Sequence, residues 1–285
     1  MSDSPPDTLI AFQGLPGAYS HLACLEAYPE LAPVSHATFE DAFKAVRDGA
    51  CGRAMIPIEN SLGGRVADIH HLLPDSNLYI VAEHFQQVHH ELLAPEGATL
   101  DGLTLVKSHV QALAQCRHLI RELGLKAEVV ADTAGAARDV AEGGDVHQAA
   151  IASNLAGQTY GLVSLRQRIE DRLGNTTRFI VMAPQRRDPS PRTASVTSLI
   201  FQVRSVPAAL YKALGGFATN GVNVVKLESY ITDGSFTVAQ FYAEIEGHVA
   251  DRSVDNALQE LSYFSSMMKV LGVYPAHPFR LENMA

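Results

Sequence analysis

The sequence predicts an α/β protein that ends in a separate ferredoxin-like unit, and three observations support this class. Between residue 9 and about residue 183, strand-like apolar runs alternate with apolar residues at helical spacing, which favours parallel strands covered by helices. Residues 184–192 then hold three prolines and four charged residues, a composition typical of a linker. After the linker, the strand and helix patterns follow the order βαββαβ, which is the ferredoxin-like plan.

The elements before the linker follow from apolar periodicity and turn residues. In chain order, the first six elements are a strand over 9–13, a helix over 20–28, a strand over 34–39, a helix over 40–47, a strand over 53–58 and a helix over 66–73. Asn60 and Ser61 are expected to cap the helix over 66–73, and Ser108 is expected to cap a later helix over 109–123.

The elements after the linker form a shorter series with a hairpin in its middle. A turn at Asp233-Gly234 joins the second and third strands. The predicted elements are a strand over 195–204, a helix over 207–219, a strand over 222–231, a strand over 236–245, a helix over 251–265 and a strand over 267–274.

Composition narrows the class of protein. The 285 residues suit about two domains, and 47% apolar residues exclude a disordered chain. With 22 basic and 31 acidic residues the net charge is −9, which argues against binding nucleic acid. Neither a secretory signal nor a membrane span is expected. Three distant cysteines predict reduced thiols in a cytoplasmic protein, with no disulfide or zinc site.

Three polar clusters could carry chemistry, although each also has an ordinary structural explanation. Residues 57–64 place Asn60 and two glycines after a strand, which fits an anion site or only a capped, tightly packed turn. Residues 107–115 place Gln111 and Gln115 on one helical face, as a capped surface helix also would. Residues 170–179 crowd polar side chains before an apolar strand, as an ordinary turn would.

Histidines and acids also gather in residues 83–91. Glu83, His84, His89, His90 and Glu91 could supply metal ligands. Neighbouring side chains of a strand face opposite ways, so solvated strand histidines are the better interpretation, and no metal site is expected.

Taken together and in order, the sequence motifs resemble the prephenate dehydratase family. The C-terminal unit is similar to the ACT regulatory domain of that family, through residues 217–229 (FATNGVNVVKLES). The other motifs that carry the resemblance are 10–20 (IAFQGLPGAYS), 56–66 (IPIENSLGGRV), 108–116 (SHVQALAQC) and 175–179 (NTTRF).

The resemblance implies a two-lobed, type II periplasmic-binding-protein-like catalytic domain followed by a ferredoxin-like ACT domain. The expected domains are a catalytic domain over 1–183, a linker over 184–192, an ACT domain over 193–275 and a C-terminal tail over 276–285. The lobes are expected at about 1–82 plus 169–183 and at 83–168, with the motifs facing a cleft between them.

The resemblance also implies an activity, the conversion of prephenate to phenylpyruvate, water and carbon dioxide without a cofactor. Thr177 is expected to donate to the departing hydroxyl, and Phe179 to pack beneath the site. Arg178 is expected to bind a carboxylate, with a salt bridge to Glu170 or Asp171 as the alternative. Expected substrate-binding residues are Ser20, Glu59, Asn60, Ser61, Ser108, Gln111, Gln115 and Thr176.

The ACT resemblance implies regulation by L-phenylalanine in a homodimer or homotetramer. Tyr230 and Ile231 stand where the family has Arg and Pro, so the strength and sign of regulation stay open. An arogenate dehydratase, or a non-catalytic amino-acid sensor, are the alternative functions. The expected phenylalanine-site residues are Ala209, Leu210, Asn220, Gly221, Val222, Asn223, Glu228 and Ser229.

Overall fold

A computed structural model of the chain describes residues 5–204, 206–231 and 239–283. Its first stretch alternates strands and helices, as the sequence predicts. The Thr38 hydroxyl accepts from the Asp41 N–H at 3.1 Å and so caps the second helix. The elements are β1 (Leu9–Gln13), α1 (Tyr19–Ala27), β2 (Ala32–His36), α2 (Phe39–Arg47), β3 (Arg53–Asn60), β4 (Gly64–Arg65), α3 (Ala67–Leu72) and β5 (Tyr79–Gln87).

The second stretch repeats the alternation. Asp132 and Ser153 cap two of its helices by accepting from backbone N–H groups at Gly135 and Ala156. The elements are β6 (Glu91–Ala94), β7 (Leu105–Ser108), α4 (Val110–Gln115), α5 (Arg117–Glu122), β8 (Lys126–Val129), α6 (Thr133–Gly143), β9 (Gln148–Ala152), α7 (Asn154–Tyr160) and β10 (Val163–Arg166).

The third stretch contains a returning strand and the C-terminal unit. Residues 184–194 between them belong to no helix or strand. The elements are β11 (Thr176–Ala183), β12 (Ser195–Val203), α8 (Ala209–Thr219), β13 (Val224–Ile231), β14 (Ala239–Glu246), α9 (Arg252–Phe264), β15 (Ser265–Pro275) and α10 (Pro278–Asn283).

The strands form three sheets. The first has the order β2-β1-β3-β11-β5, with β4 paired to β3, and the second has the order β10-β6-β9-β7-β8. Strand β1 runs parallel to β2 and β3, and β7 runs parallel to β8 and β9. The third sheet, β13-β14-β12-β15, is antiparallel and has the ferredoxin-like order. The predicted fold class is therefore confirmed.

The chain divides into two compact units. The first unit comprises Met1–Arg65 and Phe85–Phe179, and the second comprises Val66–His84 and Ile180–Ala285. The boundaries at 84/85 and 179/180 lie inside β5 and β11. The helix and strand of residues 66–84 therefore group with the C-terminal sheet, although they precede it by more than 100 residues in the chain.

Two local expectations are wrong, and a third lies outside the described residues. Asn60 and Ser61 do not cap a helix, because a turn and β4 follow them and Val66 is the N-cap of α3. The helix over 109–123 is wrong as one element, because Cys116 leaves helical geometry between α4 and α5, and His109 rather than Ser108 is the N-cap. The turn at Asp233-Gly234 and the start of the strand over 236–245 lie outside the described residues.

Candidate active site

The candidate site begins where two neighbouring strands of the first sheet carry Asn60 and Thr177. Asn60 is the last residue of β3 and Thr177 is the second residue of β11. The Asn60 amide nitrogen donates to the Thr177 hydroxyl oxygen at 2.9 Å. Since this bond occupies a lone pair of Thr177, the hydroxyl proton remains available for a ligand.

The Asn60 side chain is oriented by the turn that follows it. Its Oδ1 accepts from the backbone N–H groups of Leu62 at 3.0 Å and Gly63 at 2.7 Å. Its Nδ2 also donates to Asn175 Oδ1 at 2.7 Å, and Asn175 Nδ2 donates to Gln115 Oε1 at 2.7 Å. Three amides from distant segments are thereby held in a fixed order.

Ser61 joins the turn after β3 to the start of β11. Its hydroxyl donates to the Gly174 carbonyl at 3.1 Å and accepts from the Thr176 N–H at 2.9 Å. The Ser61 N–H in turn donates to the Thr176 carbonyl at 2.9 Å. Ser61 and Thr176 therefore fix the backbone that carries Asn60 and Thr177.

A cavity of about 600 Å³ opens beside these amides within the first unit. Thr177 is not one of its lining residues, but Asn60 connects it to Gly63 and, through Asn175, to Gln115. The lining carries more positive than negative side chains, which suits an anionic ligand. It consists of Leu62, Gly63, Gln111, Ala114, Gln115, Arg117, His118, Asp171 and Arg172.

Gly63 brings the turn and α4 close together. A Cβ at this position would lie 3.2 Å from both Asn60 Oδ1 and the Gln111 amide nitrogen, so a larger residue would displace one of them. Gln111 and Gln115 both line the cavity, as expected from one helical face. Ser108 instead is fully buried and donates to the Ile151 carbonyl at 2.6 Å, so its hydroxyl bonds to the neighbouring strand β9.

Arg178 is buried and forms an ion pair with Glu59, whose side chain is 34% exposed. The two side chains approach to 2.9 Å, and Arg178 is only 2% exposed, with its guanidinium 5.9 Å from the Phe85 ring centroid. The expected alternative partners lie elsewhere: Glu170 bonds to His89, and Asp171 accepts from the N–H groups that open α5. The Arg178 charge is therefore engaged beside the site by Glu59.

The other predicted residues of the first unit have supporting positions. Ser20 is buried near the start of α1, and Phe179 is fully buried in β11, as expected for a residue that packs beneath the site.

His90 corrects one prediction, because it is buried rather than solvated, with 2% of its surface exposed. Burial lowers the pKa of His90, against the opposing effects of a hydrogen bond to Gln115 and the charge of Glu170. Burial likewise raises the pKa of Tyr19, which packs edge-on against the His90 ring. Although burial opposes it, hydrogen bonds from His89 and from the His90 N–H lower the pKa of Glu170. His90 is thus a neutral imidazole at neutral pH.

In the second unit, the expected phenylalanine-site residues are dispersed. Ala209 and Leu210 line a cavity of about 500 Å³ that does not include Glu228. Glu228 lies 2.8 Å from Lys226 and 3.1 Å from His70. The remaining residues are engaged as follows: Asn220 donates to Gly216 and Glu260, Gly221 has a φ of 67°, Val222 is buried in the core, Asn223 donates to Glu246, and Ser229 pairs with Phe241 in the sheet.

Sequence reasoning missed several residues of this region. Asn175 was within a recognised motif, but its amide role depends on Asn60 and Gln115, which are far away in the chain. Arg117, His118 and Arg172 belong to no motif, so only the fold brings them to one cavity. Among the described residues, no group of three or more His, Cys, Asp or Glu side chains is arranged to hold a metal.

The fold and the site define an α/β protein with a cavity lined in part by two arginine and two glutamine side chains, together with a ferredoxin-like unit. The family model for prephenate dehydratase matches residues 10–187, so this chain belongs to the prephenate dehydratase family. No helix within 5–204, 206–231 or 239–283 is long and apolar enough to cross a membrane.

Individual relatives agree with this family. A protein of Komagataeibacter europaeus named bifunctional N-acyl-homoserine lactone acylase/prephenate dehydratase is 49% identical over 96% of this chain and 98% of its own length. An Arabidopsis thaliana arogenate dehydratase/prephenate dehydratase is 39% identical over 93% of this chain and 72% of its own. The solved structure of an Arthrobacter aurescens prephenate dehydratase in complex with L-Phe has a TM-score of 0.87 and 28% identity, and covers 94% of this chain and 90% of its own.

Proposed function

We propose that the chain converts prephenate to phenylpyruvate, water and carbon dioxide. The observation that carries this proposal is the bond from Asn60 to the Thr177 oxygen, which leaves the Thr177 proton for the substrate. The ring carboxylate would leave as carbon dioxide, and its bonding electrons would enter the ring as the C–O bond breaks. The departing hydroxide takes up one proton and becomes water.

Thr177 supports the second bond cleavage as a hydrogen-bond donor. An unperturbed threonine is a very weak acid, so full proton transfer is not required of it. A donor that is held in place and bonds more strongly as negative charge grows on the leaving oxygen is worth about 3 kcal/mol. Asn60 prepares Thr177 for this role, because its amide occupies a lone pair of the same oxygen.

The substrate carboxylates would bind in the cavity beside Gln115. Arg117 and Arg172 line this cavity and offer positive charge, and Gln111 and Gln115 offer amide donors. For Arg178 we propose a supporting role in place of the expected carboxylate contact, because Glu59 already pairs with it. We also propose the catalytic domain over 1–183, the linker over 184–192, the ACT domain over 193–275 and the tail over 276–285, in the cytoplasm.

Arogenate differs from prephenate by an amino group in place of the side-chain keto group, and relatives carry both names. The decisive experiment offers both substrates to the purified full-length chain and follows phenylpyruvate and phenylalanine separately. Phenylpyruvate from prephenate supports the proposal, whereas turnover of arogenate alone would identify arogenate as the substrate instead. Failure with both would favour the amino-acid sensor.

A second candidate activity comes from the bifunctional relative, which is named as an N-acyl-homoserine lactone acylase. A cysteine nucleophile is not supported, because Cys24, Cys51 and Cys116 are buried and burial raises the pKa of each thiol. Incubation with an N-acyl-homoserine lactone, followed by detection of the free amine, tests this activity. Inhibition by prephenate would assign both activities to one cavity.

We further propose that L-phenylalanine binds to the C-terminal unit and inhibits the dehydratase, with the site completed by a second copy of the chain. Support comes from the L-Phe complex of the Arthrobacter aurescens relative. In one copy of the chain, the cavity lined by Ala209 does not include Glu228, as expected if a second copy completes the site. Coupling is reciprocal, so prephenate should weaken phenylalanine binding. Equal phenylalanine affinity with and without prephenate, or a monomer at assay concentration, would contradict this regulation.

A further inference from the structure

A continuous series of side-chain hydrogen bonds extends from Thr177 to Tyr19, a half-buried residue of the 10–20 motif. Beyond Gln115, His90 Nε2 lies 3.0 Å from Gln115 Oε1, and His90 Nδ1 lies 2.8 Å from the Tyr19 hydroxyl. His90 is one of the most buried polar residues of the described chain, and Tyr19 belongs to α1. The direction of each bond in this chain can be deduced from its fixed end.

The fixed end is the turn after Asn60, since a backbone N–H can only donate. The Leu62 and Gly63 N–H groups require an oxygen at the Asn60 position they face. Asn60 must therefore present its NH₂ to Thr177 and Asn175, and Asn175 must accept through its oxygen. Asn175 then presents its own NH₂ to Gln115, which must accept as well.

This order determines the protonation of His90. Because Gln115 presents its oxygen to both neighbours, His90 must donate from Nε2. A neutral imidazole with a proton on Nε2 has a lone pair on Nδ1, which accepts from Tyr19. The opposite neutral tautomer would place the Nε2 lone pair against the Gln115 oxygen and would interrupt this series of hydrogen bonds.

Tyr19 is compatible with this tautomer but does not select it, because its hydroxyl can either donate to His90 Nδ1 or accept from it. Its single hydroxyl proton has two acceptors, the His89 carbonyl at 2.7 Å and His90 Nδ1 at 2.8 Å. If His90 became charged, Nδ1 would donate to the Tyr19 oxygen and the hydroxyl would donate to the His89 carbonyl. The neutral tautomer with its proton on Nδ1 could bond to Tyr19 in the same way, so the Gln115 oxygen, and not Tyr19, selects the Nε2 proton.

We infer that His90 is a positioning residue that orients Gln115, so that the NH₂ group of Gln115 faces the cavity as a donor for an anionic ligand. The expected change in KM rests on the proposed function, whereas the tautomer of His90 does not. Gln115 lines the cavity, and its carbonyl is occupied on both sides by Asn175 and His90. Without the His90 donor, only Asn175 would hold the Gln115 oxygen, so more of the Gln115 amide would rotate and present its oxygen to the substrate carboxylate, which would repel it.

The groups that face His90 come from four segments. They are the Tyr19 hydroxyl, the Gln115 amide, the neighbouring His89 and the Glu170 carboxylate, which also accepts from the His90 N–H at 3.0 Å. Glu170 is also bonded to His89 Nδ1 at 2.8 Å. Among these influences, burial has the largest effect on the pKa of His90.

The direct test is nitrogen NMR of the histidine rings in the full-length chain without substrate. At neutral pH we expect a protonated Nε2 and an unprotonated Nδ1 for His90, identified by the signals that disappear in His90→Gln. In Tyr19→Phe we expect the same tautomer, because the Gln115 oxygen still requires the Nε2 proton. A His90 ring with its neutral proton on Nδ1 in the unmodified protein would overturn the inference.

Kinetics with prephenate then tests the orientation of Gln115. His90→Leu should raise KM roughly 10- to 100-fold with a much smaller change in kcat, since a bond to a charged ligand group is lost. His90→Gln, which restores a donor near the Nε2 position, should recover most of that loss. His147→Leu, at an exposed histidine of the same unit, should leave both constants unchanged.

A pH series distinguishes positioning from a loss of packing. In Tyr19→Phe, KM should stay close to that of the unmodified chain at neutral and at acidic pH, because neutral His90 bonded to Gln115 and the imidazolium both carry the Nε2 proton. His90→Leu should show a raised KM across the same range, and equal behaviour of the two variants would overturn the inference. A chain with the expected tautomer but no activity on prephenate or arogenate would overturn the proposed function and leave the deduced hydrogen-bond order supported.

Discussion

Two polar clusters, one in each unit of the chain, are built in different ways. In the first unit, the candidate site is a chain of neutral groups, with Asn60, Asn175 and Gln115 bonded amide to amide. In the second unit, the buried cluster is charged: Arg280 lies 2.7 Å from Glu83 and 2.8 Å from Glu244, and both carboxylates are fully buried. One region orders donors and acceptors, and the other compensates charge.

The difference indicates different purposes. A neutral network can present a defined donor, such as the Thr177 proton, to a ligand whose charge changes during reaction. A cation between two buried carboxylates instead depends on every member remaining, since removal of one leaves uncompensated charge. Substitutions in the first network should therefore affect activity most, and substitutions in the second should affect stability most.

The largest effect on stability is expected from Arg280→Met. Glu83 keeps a bond from the His277 N–H and Glu244 keeps one from Tyr242, but both lose their cation. The free energy of unfolding should fall by about 3–5 kcal/mol, as measured by urea denaturation.

Arg280→Lys is the matched control for charge. It keeps the cation but loses the planar fork that reaches two carboxylates, so the loss of stability should be smaller. Protein of either variant that remains folded should retain kcat. A clear fall in the kcat of protein that remains folded would contradict the proposed division between the units.

Asn60→Asp tests the first unit with almost no change in shape. The new carboxylate still accepts from Leu62 and Gly63, but it presents oxygen to Thr177 and draws the Thr177 proton away from the substrate. We expect kcat to fall roughly 100-fold, as for the loss of one preorganised donor.

The control is Asn77→Asp in the second unit. Asn77 is exposed and has a φ of 53°, a conformation that aspartate also tolerates. Its kcat should match that of the unmodified chain. If Asn60→Asp also left kcat unchanged, the orientation assigned to Thr177 would be untenable.

The smallest effect is a pH dependence of stability that each unit contributes separately. Burial lowers the pKa of His90 in the first unit and of His277 in the second, the latter also through His84. The unfolded chain therefore binds these protons first as the pH falls below about 6.5, so stability should decrease there. The check is the free energy of unfolding across this range, with His90→Gln and His277→Gln each removing part of the slope. Unchanged slopes in both variants would contradict these pKa shifts.

The sequence predicted the fold class and the motif residues of the site, because local patterns carry that information. Asn60, Thr177, Gln111 and Gln115 lie within motifs, and the strands around them show clear apolar periodicity. Their partners could not be predicted, since Glu59 pairs with Arg178 across 119 residues. The same holds for His90, whose pattern resembles that of a solvated strand and whose burial depends on tertiary packing.

The central claim is that the Thr177 hydroxyl donates to the departing oxygen, and turnover of prephenate by Thr177→Ala and Thr177→Ser tests it most directly. Thr177→Ala should bind prephenate with nearly normal affinity but lose roughly 100- to 1,000-fold in kcat, while Thr177→Ser retains the hydroxyl and most of the rate. Unchanged kcat in Thr177→Ala, or an equal loss in both variants, would contradict the account.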